Sequence, residues 1–334
     1  MKASSHPQVF AAAGLLATGL VLTSMAALVV GTTAIPVDHV WSALVGFDGS
    51  RDHLVIWTQR LPRVLIGAMV GAALASAGAI MQAVTSNPLA SPGLLGINAG
   101  AVLAVVLAIV AFGTQSGGIL VWYAFFGAAM AAVIVYALGA AGRGGATPLK
   151  LALAGAIFTA FTGSVTTAIL LFDQSTLDQV RLWTAGTLSG GTMSDARAVA
   201  PYVCLGLIGA ILFSPQVMTL SLGGEIARAV GQNQTVWRGV AAIVVVLLAG
   251  SAVALAGPIG FVGLIAPHIV RLVVGIDYRR VIPLSMLGGA LLVVNADTCV
   301  RLAMPEQDLP VGVTMAILGA PFFIWLARFR VRAA

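Results

Sequence analysis

The feature that most constrains this chain is a succession of long apolar runs, cut at prolines, glycines and charged residues. A run of about 18 to 22 apolar residues is long enough for an α-helix to cross the roughly 30 Å hydrocarbon core of a bilayer. We read ten such runs, of which the eighth is short and contains Pro267. They cover 9–31, 63–83, 94–113, 119–141, 149–172, 196–214, 237–256, 261–275, 283–301 and 311–328. The sequence therefore predicts an all-α polytopic membrane protein with about ten transmembrane helices.

Composition excludes a water-soluble globule. Only 8% of the 334 residues are charged and 59% are apolar, whereas soluble domains carry roughly 25% charged residues. The net charge of +6 does not indicate nucleic-acid binding, because the chain has only two lysines, Lys2 and Lys150, and its arginines lie between apolar runs. We expect one transmembrane domain over residues 1–334.

The loop charges orient the predicted helices. The first run is long enough to be a retained span rather than a signal peptide. With the N-terminus in the cytoplasm, eleven basic residues fall inside and six outside, in agreement with the positive-inside rule. The inner set is Lys2, Arg143, Lys150, Arg228, Arg238, Arg271, Arg279, Arg280, Arg328, Arg330 and Arg332. The outer set is Arg51, Arg60, Arg63, Arg181, Arg197 and Arg301. Both termini are therefore predicted to be cytoplasmic.

The chain lacks the motifs of several kinds of chemistry. It contains no Gly-x-x-x-x-Gly-Lys-Ser/Thr phosphate loop and no His-Glu-x-x-His metal pattern. Ionisable residues within the apolar runs, which usually mark ion pathways, are few. Asp297 lies four residues before Arg301, which favours a local ion pair. We expect no catalytic residue, no bound metal and no cofactor, so the energy for any active transport must come from another subunit.

Two segments carry more specific patterns. The second run places Gly67, Gly71, Ala75 and Ala79 at intervals of four, which predicts a small-residue face that allows a neighbouring helix to approach closely. After it, two prolines frame the segment from Asn87 to Gly93 and predict a tight cytoplasmic connection. That connection is either a rigid turn or a polar constriction at the inner mouth of a pathway.

The loop at 216–237 is predicted to hold a short amphipathic helix at the cytoplasmic surface. Ser221 can cap its start, and Gly231 can end it in a left-handed conformation. Three residues share its apolar face, Ile226, Ala229 and Val230, while Glu225 and Arg228 point elsewhere. The segment lacks the basic face and the aromatic residues typical of lipid-binding helices, so docking to a partner is favoured.

Three arginines stand at the outer ends of predicted spans. Arg60 and Arg63 flank Leu61-Pro62, and Arg301 ends the ninth run. Such residues often anchor a helix by snorkelling. Since arginine also binds carboxylates through a bidentate fork, an acidic partner outside the membrane is the second interpretation.

Several blocks of sequence together resemble the FecCD permeases, the membrane subunits of ABC importers for ferric siderophores, haem and cobalamin. These blocks are Arg60-Leu-Pro-Arg63, Gly78 to Gly100 with Asn87-Pro-Leu-Ala-Ser-Pro-Gly, Gly257-Pro-Ile-Gly-Phe-Val-Gly-Leu-Ile-Ala-Pro-His268, Leu309-Pro-Val-Gly312 and Gly319-Ala-Pro-Phe322. The resemblance covers nearly the whole chain. It implies a ten-span permease of the bacterial inner membrane, paired with itself or a paralogue around a path at the interface.

The resemblance also implies roles for individual residues. Arg60, Arg63 and Arg301 match outer arginines that meet glutamates on an extracytoplasmic substrate-binding protein. The matching inner gate is formed by Asn87 and Leu89, with Thr147 at a second gate. A coupling helix that seats in two ABC ATPase subunits, which use ATP and Mg, corresponds to Ser221, Glu225, Ile226, Ala227, Arg228 and Gly231.

The leading hypothesis is thus a permease subunit that moves a ferric siderophore. Haem or cobalamin is the alternative cargo. A stand-alone ion-coupled carrier is a second class of function, which the scarcity of charges within the apolar runs weakens, and a membrane scaffold that does not transport is a third.

Overall fold

The computed structural model describes residues 6–113, 117–141 and 147–330. Within these ranges the regular backbone is helical throughout. The α-helices are α1 His6–Val29, α2 Val37–Val45, α3 Arg51–Val55, α4 Leu61–Thr85, α5 Ile97–Phe112, α6 Gly117–Ala140, α7 Pro148–Phe172, α8 Gln174–Thr184, α9 Met193–Leu212, α10 Ser214–Ser221, α11 Gly224–Ala229, α12 Gln234–Ala256, α13 Val262–Val274, α14 Tyr278–Ala303 and α15 Val311–Arg330. A π-helical turn, Ile56–Arg60, precedes α4, and a 3-10 turn, Pro92–Leu95, precedes α5.

Each of the ten predicted apolar runs corresponds to a helix. Seven helical segments of the described chain are long and apolar enough to cross a membrane, by length and composition. They are Pro7–Val29, Arg51–Thr85, Gly118–Ala140, Leu149–Phe172, Met193–Leu212, Gln234–Ala256 and Tyr278–Ala303. Three shorter apolar helices, Ile97–Phe112, Val262–Val274 and Val311–Ile324, account for the remaining runs. At 1.5 Å per residue α13 is only about 20 Å long, which explains why the eighth run is short.

Helix α4 lies at the centre of the bundle, and its small residues explain why. A Cβ added to Gly71 would lie 2.2 Å from the carbonyl oxygen of Gly289 on α14. One added to Gly78 would lie 2.1 Å from that of Gly263 on α13. The Gln82 side chain, almost fully buried, donates a 2.9 Å hydrogen bond to the Gly263 carbonyl. The predicted close approach along α4 is confirmed, because only glycine lets these backbones meet.

Three loops are joined by backbone contacts at the end of the bundle that holds the 304–310 connection. The Thr187 amide donates to the Ala256 carbonyl, and the Gly312 amide donates to the Gly186 carbonyl. At Gly312 a Cβ would lie 2.1 Å from the Ala185 carbonyl oxygen, so glycine is required in the Leu-Pro-Val-Gly block. These bonds fix the loops that surround the site described below.

The outer faces of several helices remain apolar and exposed. Only 11% of the most apolar window of α1 is buried, and only 17% of that of α7. On α7, Phe161 is 67% exposed and Phe172 is 93% exposed. Such faces are stable only against lipid or another apolar protein surface, as expected for a membrane protein with partners.

Some residues behind the orientation prediction lie outside the described ranges. These are Lys2, Arg143 and Arg332. Of the other fourteen basic residues, eight belong to the inner set and six to the outer set.

Candidate functional site

A cavity of about 500 Å³ opens where the N-terminal end of α4 and the C-terminal end of α14 meet the 304–310 loop, and we call it the outer cavity after the side predicted from the loop charges. Its walls bring together all three arginines predicted to form the outer site, Arg60, Arg63 and Arg301. The other lining residues are Val30, Gly31, Thr32, Val55, Thr58, Gln59, Leu188, Ser189, Gly190, Gly191, Thr192, Pro305, Glu306, Gln307 and Asp308. The three arginines therefore line one cavity, and their docking role remains a prediction.

Arg60 is buried and satisfied by backbone carbonyls. It closes the π-helical turn and is only 6% exposed. Its guanidinium donates hydrogen bonds to the carbonyls of Leu28, Val29 and Thr33. Gly31 makes room for it, since a Cβ there would lie 2.8 Å from Nη2 of Arg60. Arg60 thus holds the C-terminal end of α1, and its contact with a binding protein remains a prediction.

Arg301 also binds backbone carbonyls at the C-terminal end of α1. Its Nη1 donates to the carbonyls of Ala27, 3.1 Å away, and Val30, 2.8 Å away. The last carbonyls of a helix have no partner within the helix, and a cation there also complements the helix dipole. Two arginines that are distant in sequence therefore form the cap of α1. The Arg301 Nη2 atom is buried without a hydrogen-bond partner.

Asp297 is the buried counter-charge of this cluster. Its side chain is 5% exposed and accepts a 3.0 Å hydrogen bond from Nε of Arg301, so the ion pair predicted from the four-residue spacing is confirmed. It also accepts from Nε and Nη2 of Arg63 at 3.1 and 2.9 Å. A buried carboxylate is tolerated only when it is paired and hydrogen-bonded, and Asp297 meets both conditions.

Arg63 completes the cluster and reaches its surface. Besides Asp297, it contacts Asp308, whose carboxylate Oδ1 accepts from Nη1 at 3.1 Å. The same oxygen accepts a hydrogen bond from the Ser189 hydroxyl. Asp308 and Ser189 were not singled out from the sequence. The signal that could have found Asp308 is the surplus of outer arginines over buried carboxylates, which requires a further acid nearby.

A second cavity of about 410 Å³ lies beside the first and shares Ser189, Gly190 and Gly191 with it. Polar groups of Gln179, Thr187 and Asp195 face it, together with the Trp183 ring and apolar residues of α5, α6 and α12. The 187–192 loop is therefore the partition between two open spaces at this end of the molecule.

Two of the predicted gate residues, Asn87 and Leu89, lie in a tight turn after α4, and the third, Thr147, lies at the start of α7. Ser86 ends α4 in a left-handed conformation, and the exposed Asn87 side chain accepts a 2.9 Å hydrogen bond from the Leu89 amide. Leu89 is half-buried, and the next residue, Ala90, is buried. Thr147 caps α7, because its hydroxyl accepts from the Lys150 amide. The tight turn is confirmed; the gating roles of these residues remain predictions.

The predicted coupling segment is helical, but its start was placed wrongly. Ser221 is the last residue of α10 and donates to the Met218 carbonyl, so it caps nothing. The short helix α11 begins instead after Gly223, whose φ of 99° is accessible to glycine. Gly231 has the expected left-handed φ of 80°.

One of the predicted coupling residues, Ala227, does not lie on the exposed face of α11. Ala227 is fully buried against its own chain, so it is a packing residue and cannot itself contact a partner. The predicted apolar face remains exposed: Ile226 is 50% exposed, Val230 is 66% exposed, and Ala229 lies exposed between them in the chain. Glu225 and Arg228 are exposed beside them.

No group of three or more histidine, cysteine or carboxylate side chains that could hold a metal ion occurs in the part of the chain that the structure describes. Within this cavity arginine already binds carboxylates, since Arg63 contacts Asp297 and Asp308 and Arg301 contacts Asp297.

Comparison with known proteins identifies the family. The model of the FecCD transport family matches residues 19–329. The chain is 44% identical over 310 residues to the Bacillus subtilis protein named probable siderophore transport system permease protein YfiZ, covering 92% of this chain and 93% of that one. It is also 44% identical over 301 residues to the Fe(3+)-citrate import system permease protein YfmD of the same organism, covering 90% and 89%.

A relative from another organism and a solved structure agree with this match. The ferric enterobactin transport system permease protein FepD of Escherichia coli is 37% identical over 313 residues, covering 94% of this chain and 93% of FepD. A solved metal-chelate type ABC transporter in an inward-facing conformation superposes with a TM-score of 0.82 at 26% identity, covering 94% of this chain and 97% of that one. The chain is a multi-pass membrane permease that belongs to the FecCD transport family.

Proposed function

We propose that this permease carries a ferric siderophore across the bacterial inner membrane as part of an ATP-driven importer. The observation that carries the proposal is the set of relatives: the similar proteins named above are permeases for siderophore, ferric citrate and ferric enterobactin, matched over most of both chains. Haem and cobalamin are the competing cargoes. The positive-inside bias supports cytoplasmic termini.

The energy is proposed to come from two ABC ATPase subunits that use ATP and Mg. This chain has no phosphate loop. Its buried Asp297 forms ion pairs with Arg63 and Arg301, so this carboxylate is accounted for by a structural contact within the chain. These two observations argue against a stand-alone ion-coupled carrier. The exposed Ile226 and Val230 form the apolar patch that we assign to contact with an ATPase subunit.

A second permease subunit, either a copy of this chain or a paralogue, is proposed to cover α7. This helix is long and apolar, yet little of it is buried within the chain. Its exposed face includes Leu153, Ile157 and Phe161. Substrate would pass between the two subunits, with Asn87, Leu89 and Thr147 near the cytoplasmic exit.

The outer cavity is proposed to receive an extracytoplasmic substrate-binding protein. Of the three arginines, Arg63 is the one with a contact at the surface, since its partner Asp308 is 57% exposed. Arg60 and Arg301 act behind it by fixing the end of α1. An acidic surface on the binding protein would complement this cluster and would speed association at low salt.

Uptake in iron-starved cells tests the proposed cargo. A strain that lacks the permease gene is offered radioactive iron on citrate, hydroxamate and catecholate chelators, and separately haem and cobalamin. Loss of uptake of one ferric chelate, restored by the wild-type gene, is the expected result. A strain that keeps every iron-chelate activity but loses haem or cobalamin uptake would assign the alternative cargo.

A further inference from the structure

Arg63 holds two carboxylates that differ greatly in exposure. Its Nε and Nη2 atoms donate to Asp297, whose side chain is 5% exposed. Its Nη1 atom donates to Asp308, whose side chain is 57% exposed. The first pair is a buried structural fork. The second is a single contact at the surface of the cavity, where water, salt and another carboxylate can compete for it.

Asp308 joins two loops through one oxygen atom. Its Oδ1 lies 3.1 Å from Nη1 of Arg63 and 2.5 Å from the hydroxyl oxygen of Ser189. Ser189 belongs to the 187–192 loop, the partition between the two outer cavities, and Asp308 belongs to the 304–310 loop. We call this three-residue contact of Arg63, Asp308 and Ser189 the outer clasp.

The arginines around the clasp outnumber the carboxylates buried among them. Three arginines line the cavity, Arg60, Arg63 and Arg301, and Asp297 is the one carboxylate buried among them. Arg301 also has a buried Nη2 atom without a hydrogen-bond partner. A cluster with excess buried positive charge is stabilised by any carboxylate that reaches it. Asp308 supplies that carboxylate from within the chain.

We infer that Asp308 is an internal, displaceable substitute for a carboxylate of an acidic protein partner. When a partner's glutamate or aspartate binds Nη1 of Arg63, Asp308 leaves, its hydrogen bond with Ser189 breaks, and the 187–192 loop is released. Docking at the outer surface is thereby linked to the freedom of the loop between the two cavities. This inference rests on the proposed docking of a binding protein, and it adds the residue with which that protein must compete.

Affinity for the partner gives the first test. The permease is placed in nanodiscs, and the probe is the substrate-binding protein encoded beside the permease gene. Asp308→Asn should bind it about two- to fivefold more tightly than wild type, the range expected when an exposed ion pair no longer competes. Asp178→Asn is the control, because it removes an exposed carboxylate from α8 that lines neither cavity, and it should not tighten binding.

Loop mobility gives the second test and needs no partner. Amides of 187–192 and 304–310 should exchange hydrogen several-fold faster in Asp308→Asn and in Ser189→Ala than in wild type or Asp178→Asn. Equal exchange in all four proteins would overturn the clasp. Binding to wild type and Asp308→Asn with equal affinity would overturn the inference while leaving the docking proposal intact. Absence of binding to both would overturn the docking proposal itself, and the inference with it.

Discussion

The guanidinium of Arg63 on α4 donates two hydrogen bonds to the carboxylate of Asp297 on α14. Its Nε and Nη2 atoms lie 3.1 and 2.9 Å from Oδ1. The two residues are 234 positions apart in the chain. Both side chains are largely buried, and Arg301 shares the same carboxylate. This ion pair joins the central helix of the bundle to the helix that packs most closely against it.

Asp297→Asn should destabilise the permease strongly. The substitution removes the buried carboxylate that Arg63 and Arg301 share, and breaking a buried pair from one side costs about 3–5 kcal/mol. The midpoint of thermal unfolding in detergent should fall clearly below that of wild type, and the yield of folded protein should fall with it. Glu306→Gln removes a carboxylate from the same cavity rim and should melt like wild type. An Asp297→Asn protein as stable as that control would contradict the role assigned to this pair.

Arg60→Ala should also act on stability rather than on docking. It removes the donors from three carbonyls at the end of α1, and buried acceptors left unsatisfied cost about 1–3 kcal/mol each. Arg60→Lys should restore little, since an ammonium cannot reach three carbonyls in the planar geometry of the guanidinium. Thermal unfolding of both variants measures the effect. If both melt normally but bind the substrate-binding protein poorly, Arg60 is a docking residue after all.

The outer arginines mark the limit of what the sequence could reveal. Apolar run length predicted the helices, and the spacing of Asp297 and Arg301 predicted their pair, because both patterns are local. The partners of Arg60 are backbone carbonyls about thirty positions away, and no sequence pattern identifies such acceptors. The Arg63 fork depends on how α4 and α14 pack, which is a tertiary property.

The misplaced start of the coupling segment has a local cause. A serine before a short apolar pattern fits an N-cap, but the Ser221 hydroxyl instead bonds back to the Met218 carbonyl at the end of α10. The chain then needs Gly223 with a positive φ of 99° before α11 can begin. Two short helices joined by a glycine resemble one capped helix when only residue types are read.

The packing of α4 against α14 gives a test that involves no charge. Gly71→Ala places a methyl carbon 2.2 Å from the Gly289 carbonyl oxygen. Because this is far closer than van der Waals contact, the two backbones must separate. Overpacking of this kind costs about 1–3 kcal/mol or more. Gly14→Ala is the control, since nothing lies within 4 Å of its added Cβ. The first variant should lose thermal stability and the second should not; equal melting temperatures would refute the close approach.

The segment before the central helix should respond to pH through His39. Its imidazole lies 2.7 Å from the Asp52 carboxylate, and this hydrogen bond raises the pKa of His39 above 6.5. A raised pKa in the folded protein stabilises the fold below about pH 6.5, and this contribution is lost as the pH rises through the folded value. The chain has four histidines, so a titration of labelled imidazoles by NMR can resolve His39. Asp52→Asn should return its pKa towards 6.5; an unchanged value would rule out the pair.

The inner surface can be tested by separating exposed from buried positions on α11. Ile226→Glu should reduce recovery of the ATPase with the permease at least about tenfold, because a charge enters the exposed apolar patch, while the permease alone melts normally. Ala227→Leu should instead lower the melting temperature of the permease itself, since Ala227 is fully buried. Full recovery of the complex with Ile226→Glu would place the ATPase contact elsewhere.

The central claim is tested most directly by uptake of radioactive ferric siderophore into proteoliposomes that contain the permease, its ATPase and its binding protein. We predict accumulation that requires ATP and all three components and is lost in Asn87→Trp, where a bulky side chain enters the proposed exit. Accumulation by the permease alone, driven by an ion gradient and indifferent to ATP, would contradict the account.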